Sequence, residues 1–415
     1  MRRADPSPGG LAVLERPERD RPARRSEVGF WIVAVAFTAV MSLGTAPSPL
    51  YPLYQERYGF SAAVVTVVFA AYAVGVIVSL FLLGHLSDQL GRRRMLLAAV
   101  VTAVASAAVF TVWPQLPGLL SARVLSGVAV GMITSTGVAA LAELDAAGRP
   151  GRGGRRAAVV GTAANLGGLG FGPFLAGLLA DLAPWPLHLS YVVHLVVLVA
   201  VAALLALVPE TVRRPDPRPP YRPQRAAVPP ELRRQFAVAA LAAIVAFALF
   251  GLFAALGSAF IRGTLGSASH TLGGLSTTAT FGTAALVQAL VRDPAGRWAG
   301  LLGTVAVPLG LAVVVAAAWW PSLPLFLAGE VAVGAGAGLM FAGAVRVVAA
   351  TAAPQNRAEV LAGLFLAAYL GLTLPVLGLG AASRYAALPV VLTAYAALAA
   401  VVAVPAGRAL RRARP

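Results

Sequence analysis

Long apolar segments alternate with short polar turns along nearly the whole chain. Each apolar segment is close to the ~20 residues that a helix needs to cross the hydrocarbon core of a bilayer. The pattern predicts an all-α polytopic membrane protein with twelve transmembrane helices in two pseudo-symmetric six-helix bundles. The predicted spans are at about 29–50, 61–83, 95–113, 117–141, 157–180, 187–208, 236–259, 270–291, 298–319, 322–348, 360–380 and 386–405.

Polar segments flank and divide the two sets of spans. Proline and glycine interrupt any helical period in the N-terminal segment and in the central one, which indicates a disordered tail and an extended linker. The predicted divisions are a disordered cytoplasmic tail at 1–28, a six-helix bundle at 29–209, a Pro/Arg-rich cytoplasmic linker at 210–235, a second six-helix bundle at 236–407 and a basic cytoplasmic tail at 408–415.

Composition agrees with a membrane protein, and the charges orient it. The chain is 59% hydrophobic and only 12% charged, which excludes an ordinary soluble domain, and it has no cysteine for disulfides or thiolate metal sites. All 33 basic residues are arginine, and 29 of them fall on one side of the predicted topology when the N-terminus is cytoplasmic. This positive-inside bias predicts that both termini are cytoplasmic. It also explains the net charge of +17 without a nucleic-acid partner.

Two motifs recur in the second half of the chain at nearly the same offset, which indicates an internal repeat. The turn after the second span carries Gly84, Asp88, Gly91, Arg92 and Arg93, and its echo 205 residues later carries Asp293, Gly296 and Arg297. In the fourth span Arg123 is followed at four-residue spacing by Gly127 and Gly131. In the tenth span Glu330, Gly334 and Gly338 repeat that spacing 207 residues later.

These residues also carry a family resemblance over nearly the whole chain. The turn from Gly84 to Arg93 resembles the loop motif between helices 2 and 3 of the major facilitator superfamily, and the Arg123 motif resembles its helix-4 motif. The fifth span is similar to the motif of the superfamily's drug–proton antiporters through Gly168, Gly172, Pro173 and Gly177. The resemblance implies a secondary transporter with its substrate site between two six-helix halves.

The resemblance gives each motif an expected role beside a structural alternative. Asp88 and Arg92 are expected to latch the cytoplasmic ends of the two halves in one state and to release them in the other, with the alternative that the turn only fixes topology. Arg123 and Glu330 are ionisable residues within spans, and we hypothesise that they interact and that protonation of Glu330 couples to transport. The alternatives are that Arg123 bonds to helix-1 carbonyls and that Glu330 lies in water at the membrane edge.

The glycine-rich fifth span has two interpretations as well. Gly168, Gly172, Pro173 and Gly177 form a small-residue face with a proline bend, which is typical of tight helix packing. The resemblance adds a hinge that limits leak in exporters.

The function predicted from these patterns is proton-coupled efflux by alternating access. The predicted substrate is a small compound that is apolar or weakly polar, and cationic compounds are among the candidates. The alternatives are import or facilitated passage of a small metabolite such as a sugar, and a non-transporting membrane sensor. No catalytic constellation, metal cluster or phosphate loop occurs in the sequence, so no enzymatic activity is expected. The expected energy source is the proton gradient rather than a cofactor. The expected state is a monomer in a bacterial plasma membrane, with the lipid bilayer and a small-molecule substrate as partners.

Overall fold

The computed structural model describes residues 20–84, 86–212, 223, 226–291, 297–353 and 356–412, which are almost entirely helical. The first set of long helices comprises α1 (Asp20–Thr45), α2 (Ala62–Leu82), α3 (Arg92–Val112), α4 (Leu116–Gly148), α5 (Arg155–Leu182) and α6 (Leu189–Leu204). The second set comprises α7 (Arg233–Gly263), α8 (His270–Leu290), α9 (Arg297–Trp319), α10 (Leu323–Thr351), α11 (Arg357–Ala382) and α12 (Leu388–Arg412). A short helix, Tyr51–Tyr58, follows α1, and a π-helical turn, Ala163–Gly167, interrupts α5.

Eleven of these helices are long and apolar enough to cross a membrane, within the described part of the chain. The exception is α8, whose middle is rich in hydroxyl side chains that lower its hydropathy. Ser276, Thr277 and Thr280 are buried where α8 packs against α5 and α10, so its polarity faces protein rather than lipid. The polytopic all-helical fold is confirmed, whereas a count of twelve spans and the side of the termini stay predictions.

The helices extend further into the predicted polar segments than expected. Helix α1 begins at Asp20, so the prediction of disorder is wrong for residues 20–28, while residues 1–19 lie outside the described ranges. Glu27 explains the extension, because its carboxylate binds Arg156 of α5 and lies 3.6 Å from Arg149. At the other boundaries, α7 begins at Arg233 inside the predicted linker, and α12 continues to Arg412 inside the predicted tail.

The motif echo corresponds to a repeated helix contact. In the first half, α4 packs on α2, and a Cβ at Gly127 would lie 2.1 Å from the carbonyl oxygen of Tyr72. In the second half, α10 packs on α8, and a Cβ at Gly334 would lie 2.4 Å from the carbonyl oxygen of Thr280. Glycine at these positions therefore lets two backbones touch. The same spacing in α4 and α10 serves equivalent contacts in the two halves.

The two halves meet along α5 with α8 and along α2 with α11. The contact is closest at the end of the bundle where α5 finishes and α8 begins, since a Cβ at Gly177 would lie 2.2 Å from the carbonyl oxygen of His270. We call this the opposite end, and we call the end that holds Arg92, Glu143 and Glu210 the arginine-rich end. The halves touch at the opposite end and separate toward the arginine-rich end.

Candidate functional site

A central cavity of about 680 Å³ lies between the two halves and opens at the arginine-rich end. Helices α2, α4 and α5 form one wall, and α8, α10 and α11 form the other. Its polar groups are few, and the amide of Gln288 already donates to the carbonyl oxygen of Gly338 at 2.8 Å. The side chains that give the wall its character are Thr134, Ser135, Asn165, Gln288, Phe341 and Phe365.

Deeper in the bundle the central cavity narrows into an inner chamber of about 60 Å³. The second half supplies a cluster of aromatic rings here, with centroid distances of 4.9 Å for Phe247 and Phe341 and 5.4 Å for Phe247 and Tyr369. The sequence motifs did not point to these phenylalanines. Phe247 and Phe250 are three residues apart, and Phe365 and Tyr369 are four apart, so each pair lies on one face of a helix. Such pairs are equally typical of core packing, so the spacing alone does not predict an aromatic chamber.

Arg123 borders the inner chamber and is 1% exposed. Its guanidinium donates to the carbonyl oxygens of Gly44 at 2.5 Å, Val68 at 3.3 Å and Phe69 at 3.4 Å. It also lies 4.6 Å from the centroid of the Tyr72 ring. A buried cation needs such partners because no water solvates it. Arg123 therefore joins α4 to α1 and α2 at the inner end of the cavity, as the structural alternative in the sequence analysis described.

Glu330 is fully buried on α10, and its described neighbours Ser276 and Gly257 belong to the second half. Its Oε1 accepts a hydrogen bond from Ser276 of α8, and its Oε2 has no hydrogen-bond partner among the described residues. The interpretation of Glu330 as a water-exposed residue at the membrane edge is therefore wrong. A buried carboxyl without an opposite charge is costly when ionised.

The hypothesised contact between Arg123 and Glu330 does not form in this structure, because each side chain is bound within its own half. Arg123 contacts α1 and α2, while Glu330 contacts α8 and faces Gly257 of α7. The two residues nevertheless occupy equivalent positions, since α7 and α8 repeat α1 and α2. The repeat thus places a cation in the first half and a carboxyl in the second.

At the arginine-rich end, Arg92 is the centre of a charged network. Its guanidinium donates to Glu143 of α4 at 3.0 Å, to Ser87 at 2.6 Å, and pairs with Asp88 at 2.6 Å. The backbone N–H of Arg92 donates to Glu210 at 2.8 Å. An acid at the start of a helix is favourable because unpaired N–H groups point there. Gly91 makes this approach possible, since its φ is +101° and a Cβ would lie 2.3 Å from Glu210 Oε2.

In this conformation the network lies within the first half, and a latch between the halves in the other conformation stays a prediction. Among the described residues, the partners of Arg92 lie in the first half or directly after it, because Glu143 lies on α4 and Glu210 follows α6. Arg93 behaves likewise, with a 3.4 Å hydrogen bond to the carbonyl oxygen of Ala206. In this conformation the turn braces one half. In the second half, Asp293, Gly296 and the side chain of Arg297 lie outside the described residues.

We expect the brace to depend more on Glu143 than on Asp88. The side chain of Asp88 is 67% exposed, so Asp88→Asn should lower the free energy of unfolding by less than ~1 kcal/mol. Glu143→Gln removes a forked, partly buried contact and should lower it by about 1.5–3 kcal/mol. Thermal unfolding of the purified variants measures both effects. A larger loss for Asp88→Asn than for Glu143→Gln would contradict this arrangement.

Charged contacts between the halves occur at the opposite end, where no sequence motif predicted them. Asp181, at the end of α5, accepts hydrogen bonds from the backbone N–H groups of His270 and Thr271, both at 2.9 Å, and from Ser269 Oγ at 2.7 Å. Its carboxylate thereby caps the N-terminus of α8 from the other half. Glu56 and Arg262 form a second ion pair across the halves. The latch of this conformation lies here.

The glycine motif of α5, from Gly168 to Gly177, packs against two neighbouring helices. A Cβ at Gly172 would lie 2.0 Å from the carbonyl oxygen of Ser42, and Gly168 also packs on α1. Gly177 and the carbonyl of Pro173 instead face α8, where a Cβ at Gly274 would lie 2.2 Å from that carbonyl oxygen. The motif therefore allows close approach within the first half and across the interface. The leak-limiting hinge stays a prediction.

Gly274→Ala should force α5 and α8 apart and open the opposite end, because the added methyl group meets backbone that cannot rotate away. The chain has no cysteine, so Leu182→Cys and Tyr385→Cys give one exposed label on each half at that end. Electron–electron double resonance should show longer label distances in Gly274→Ala. The matched control is Gly378→Ala, where a Cβ has no neighbour within 4 Å. Identical distance distributions in both variants would contradict this expectation.

Comparisons with known proteins agree with this geometry. The Major Facilitator Superfamily profile matches residues 30–309. The uncharacterized MFS-type transporter YfkF of Bacillus subtilis (strain 168) is 30% identical over 114 residues, which span 28% of this chain and 29% of that relative. This alignment thus covers less than a third of the curated relative's length.

Solved structures show the same fold at low sequence identity. The human organic anion transporter MFSD10 (TETRAN) superposes with a TM-score of 0.63 at 19% identity, covering 95% of this chain and 100% of that one. A mutant form of the nucleoside transporter NupG superposes with a TM-score of 0.69 at 12% identity, covering 92% of this chain and 99% of that one. The chain is a multi-pass membrane protein and belongs to the Major Facilitator Superfamily, a family of transporters rather than enzymes.

Proposed function

We propose that this protein is a secondary active transporter that works by alternating access between two six-helix halves. The observation that carries the proposal is the central cavity, which opens at the arginine-rich end while contacts of Asp181 and Arg262 close the opposite end. We place the arginine-rich end in the cytoplasm on the positive-inside bias of the sequence. The structure then corresponds to an inward-open state, and the Asp181 cap must break to reach the outward-open one.

The transported compound is small and apolar or weakly polar. Phenylalanine and tyrosine rings dominate the inner chamber, and few free hydrogen-bonding groups point into the central cavity. Glu330 is not among the described residues that line either space, whereas Arg123 is. Glu330 therefore does not offer a counter-charge to a cationic compound in this conformation. A sugar would call for more amide and hydroxyl groups than this lining offers.

Proton-coupled efflux is the mode that the residues support best. Glu330 is a buried carboxyl with one hydroxyl partner, so binding and release of a proton would change the charge of the second half's core. The resemblance of the glycine motif in α5 to that of drug–proton antiporters also supports efflux. We propose that protonation of Glu330 accompanies one of the two conformations.

A flux assay in proteoliposomes tests the proposal. Purified protein is reconstituted, a proton gradient is imposed, and uptake is measured for a panel of hydrophobic drugs, sugars and amino acids. We expect gradient-dependent movement of hydrophobic compounds against the proton flow. Movement of a sugar along with protons would replace efflux by import. No flux across the panel, in protein shown to be folded, would favour a sensor.

A further inference from the structure

A second cavity, of about 440 Å³, lies on the outer side of the first half between α1, α5 and α6. We call it the lateral pocket. It is separate from the central cavity, because Ala163 and Ala164 of the α5 π-turn line the lateral pocket while Asn165 and Leu166 line the central one. Its rim residues Trp31, Val35 and Phe171 are each about half exposed. The lateral pocket therefore opens toward the bilayer.

The polar atoms in the wall of the lateral pocket already have partners. Thr38 Oγ1 donates to the carbonyl oxygen of Ala34 at 2.9 Å. His194 Nδ1 lies 2.7 Å from the carbonyl oxygen of Ser190, which can only accept, so Nδ1 carries the proton and Nε2 accepts from the Ser42 hydroxyl at 2.9 Å. The wall thus offers hydrocarbon surface, which fits an alkyl chain better than a polar solute.

Exposed arginines surround the arginine-rich end of the same helices. Arg24 and Arg25 lie on α1, Arg152 lies in the turn before α5, and Arg155 begins α5. None of these four side chains forms an ion pair with another described residue. Two carboxylates at this end, those of Glu27 and Asp145, are instead bound by Arg156. Among the side chains that the structure describes, no carboxylate compensates the charge of these four arginines.

The positive charge and the lateral pocket lie on one face of α1. Arg24, Trp31, Val35 and Thr38 are spaced seven, four and three residues apart, which places them along one side of a helix. At 1.5 Å per residue, Arg24 lies ~10 Å from Trp31 along the helix axis. The lateral pocket continues for another ~16 Å to Ser42 by the same rise. Arg156 holds the junction rigid, with its guanidinium 4.1 Å from the centroid of Phe30 and 5.2 Å from that of Trp31.

We propose that the lateral pocket and the four arginines bind one anionic phospholipid. The phosphate group lies among Arg24, Arg25, Arg152 and Arg155, and an acyl chain follows α1 past Trp31 into the lateral pocket. A basic cluster directly above an apolar slot matches the two parts of such a lipid. The proposal is independent of the transported compound and of the coupling ion.

Fluorescence quenching of Trp31 tests the headgroup part. Delipidated full-length protein is titrated with phosphatidylglycerol or phosphatidylcholine that carry the same brominated acyl chains, and the signal of Trp31→Phe is subtracted. Phosphatidylglycerol should quench at a concentration at least about tenfold lower. The triple variant Arg24→Gln, Arg152→Gln, Arg155→Gln should abolish that preference. The matched control Arg94→Gln, Arg233→Gln, Arg234→Gln removes three exposed arginines elsewhere at the same end and should keep it.

A second pair of variants tests the acyl-chain part of the proposal. Ala163→Trp fills the lateral pocket and should weaken quenching by both lipids, with fewer lipids retained in native mass spectrometry. Val199→Trp adds the same bulk at an exposed site of α6 outside the lateral pocket and should bind as the unmodified protein does. The proposal is overturned if the triple arginine variant keeps its preference, if Ala163→Trp retains phosphatidylglycerol normally, or if inorganic phosphate displaces the lipid.

Discussion

Glu330→Gln is expected to reduce gradient-driven transport to that of protein-free vesicles while exchange of substrate without a gradient continues. Glutamine has the shape of the protonated acid and can still accept a hydrogen bond from Ser276, so the packing of α8 against α10 is preserved. It cannot take up or release a proton. The imposed proton gradient then has no group in the core of the second half on which to act.

The measurement for Glu330→Gln is proteoliposome flux of whichever compound the panel identifies, with and without the gradient. Glu231→Gln is the matched control, because Glu231 is exposed in the short helix before α7 and has no expected part in coupling. Exchange activity shows that the variant is folded and binds its substrate. Normal gradient-driven transport by Glu330→Gln would remove Glu330 from the mechanism and leave the alternating-access proposal standing.

Arg123→Ala is expected to lower the free energy of unfolding by at least about 3 kcal/mol, because three buried carbonyl oxygens lose the guanidinium that joins them to α4. Arg123→Lys should be intermediate, since an ammonium group keeps the charge but cannot reach three acceptors on two helices in a fork. Thermal unfolding of the purified variants measures their order of stability.

The control for Arg123 is Arg384→Ala, which removes an exposed arginine at the opposite end and should leave the unfolding midpoint nearly unchanged. A midpoint for Arg123→Ala equal to that of the unmodified protein would show that water or other donors replace the guanidinium. Arg123 would then be a cavity residue with a free charge, and its contact with α1 and α2 would carry little of the fold's stability.

The opposite-end contacts and the arginine-rich network together explain why this conformation is stable. Asp181 and Glu56 each join one half to the other, whereas Arg92 and its partners stay within the first half. A conformation that is open at the arginine-rich end needs this distribution, because contacts between the halves must hold at the closed end and be missing at the open one. The Asp88 motif can still influence transport by keeping α2, α3 and α4 together as one rigid body.

Much of the fold could be predicted because the bilayer imposes a local rule on the sequence. Any spanning helix needs its own run of apolar residues, so the spans and the charged turns are visible without knowledge of their neighbours. The repeat was visible for a similar reason, since Gly127 and Gly334 must both be small where α4 and α10 touch a neighbouring backbone. The failures at the helix ends, as at Asp20, arose from pairs such as Glu27 with Arg156 that are distant in sequence.

The sequence by itself determined the membrane class, the placement of the spans, the repeat and the identity of the two buried ionisable residues, since each depends on nearby residues or fixed spacing. Only the tertiary structure decided which residues meet: Arg92 with Glu143, Asp181 with the start of α8, and Glu330 with Ser276 in place of Arg123. The physical reason is that contacts between helices depend on their relative rotation and on the conformational state. Neither the rotation nor the state is determined by the hydropathy of any one segment.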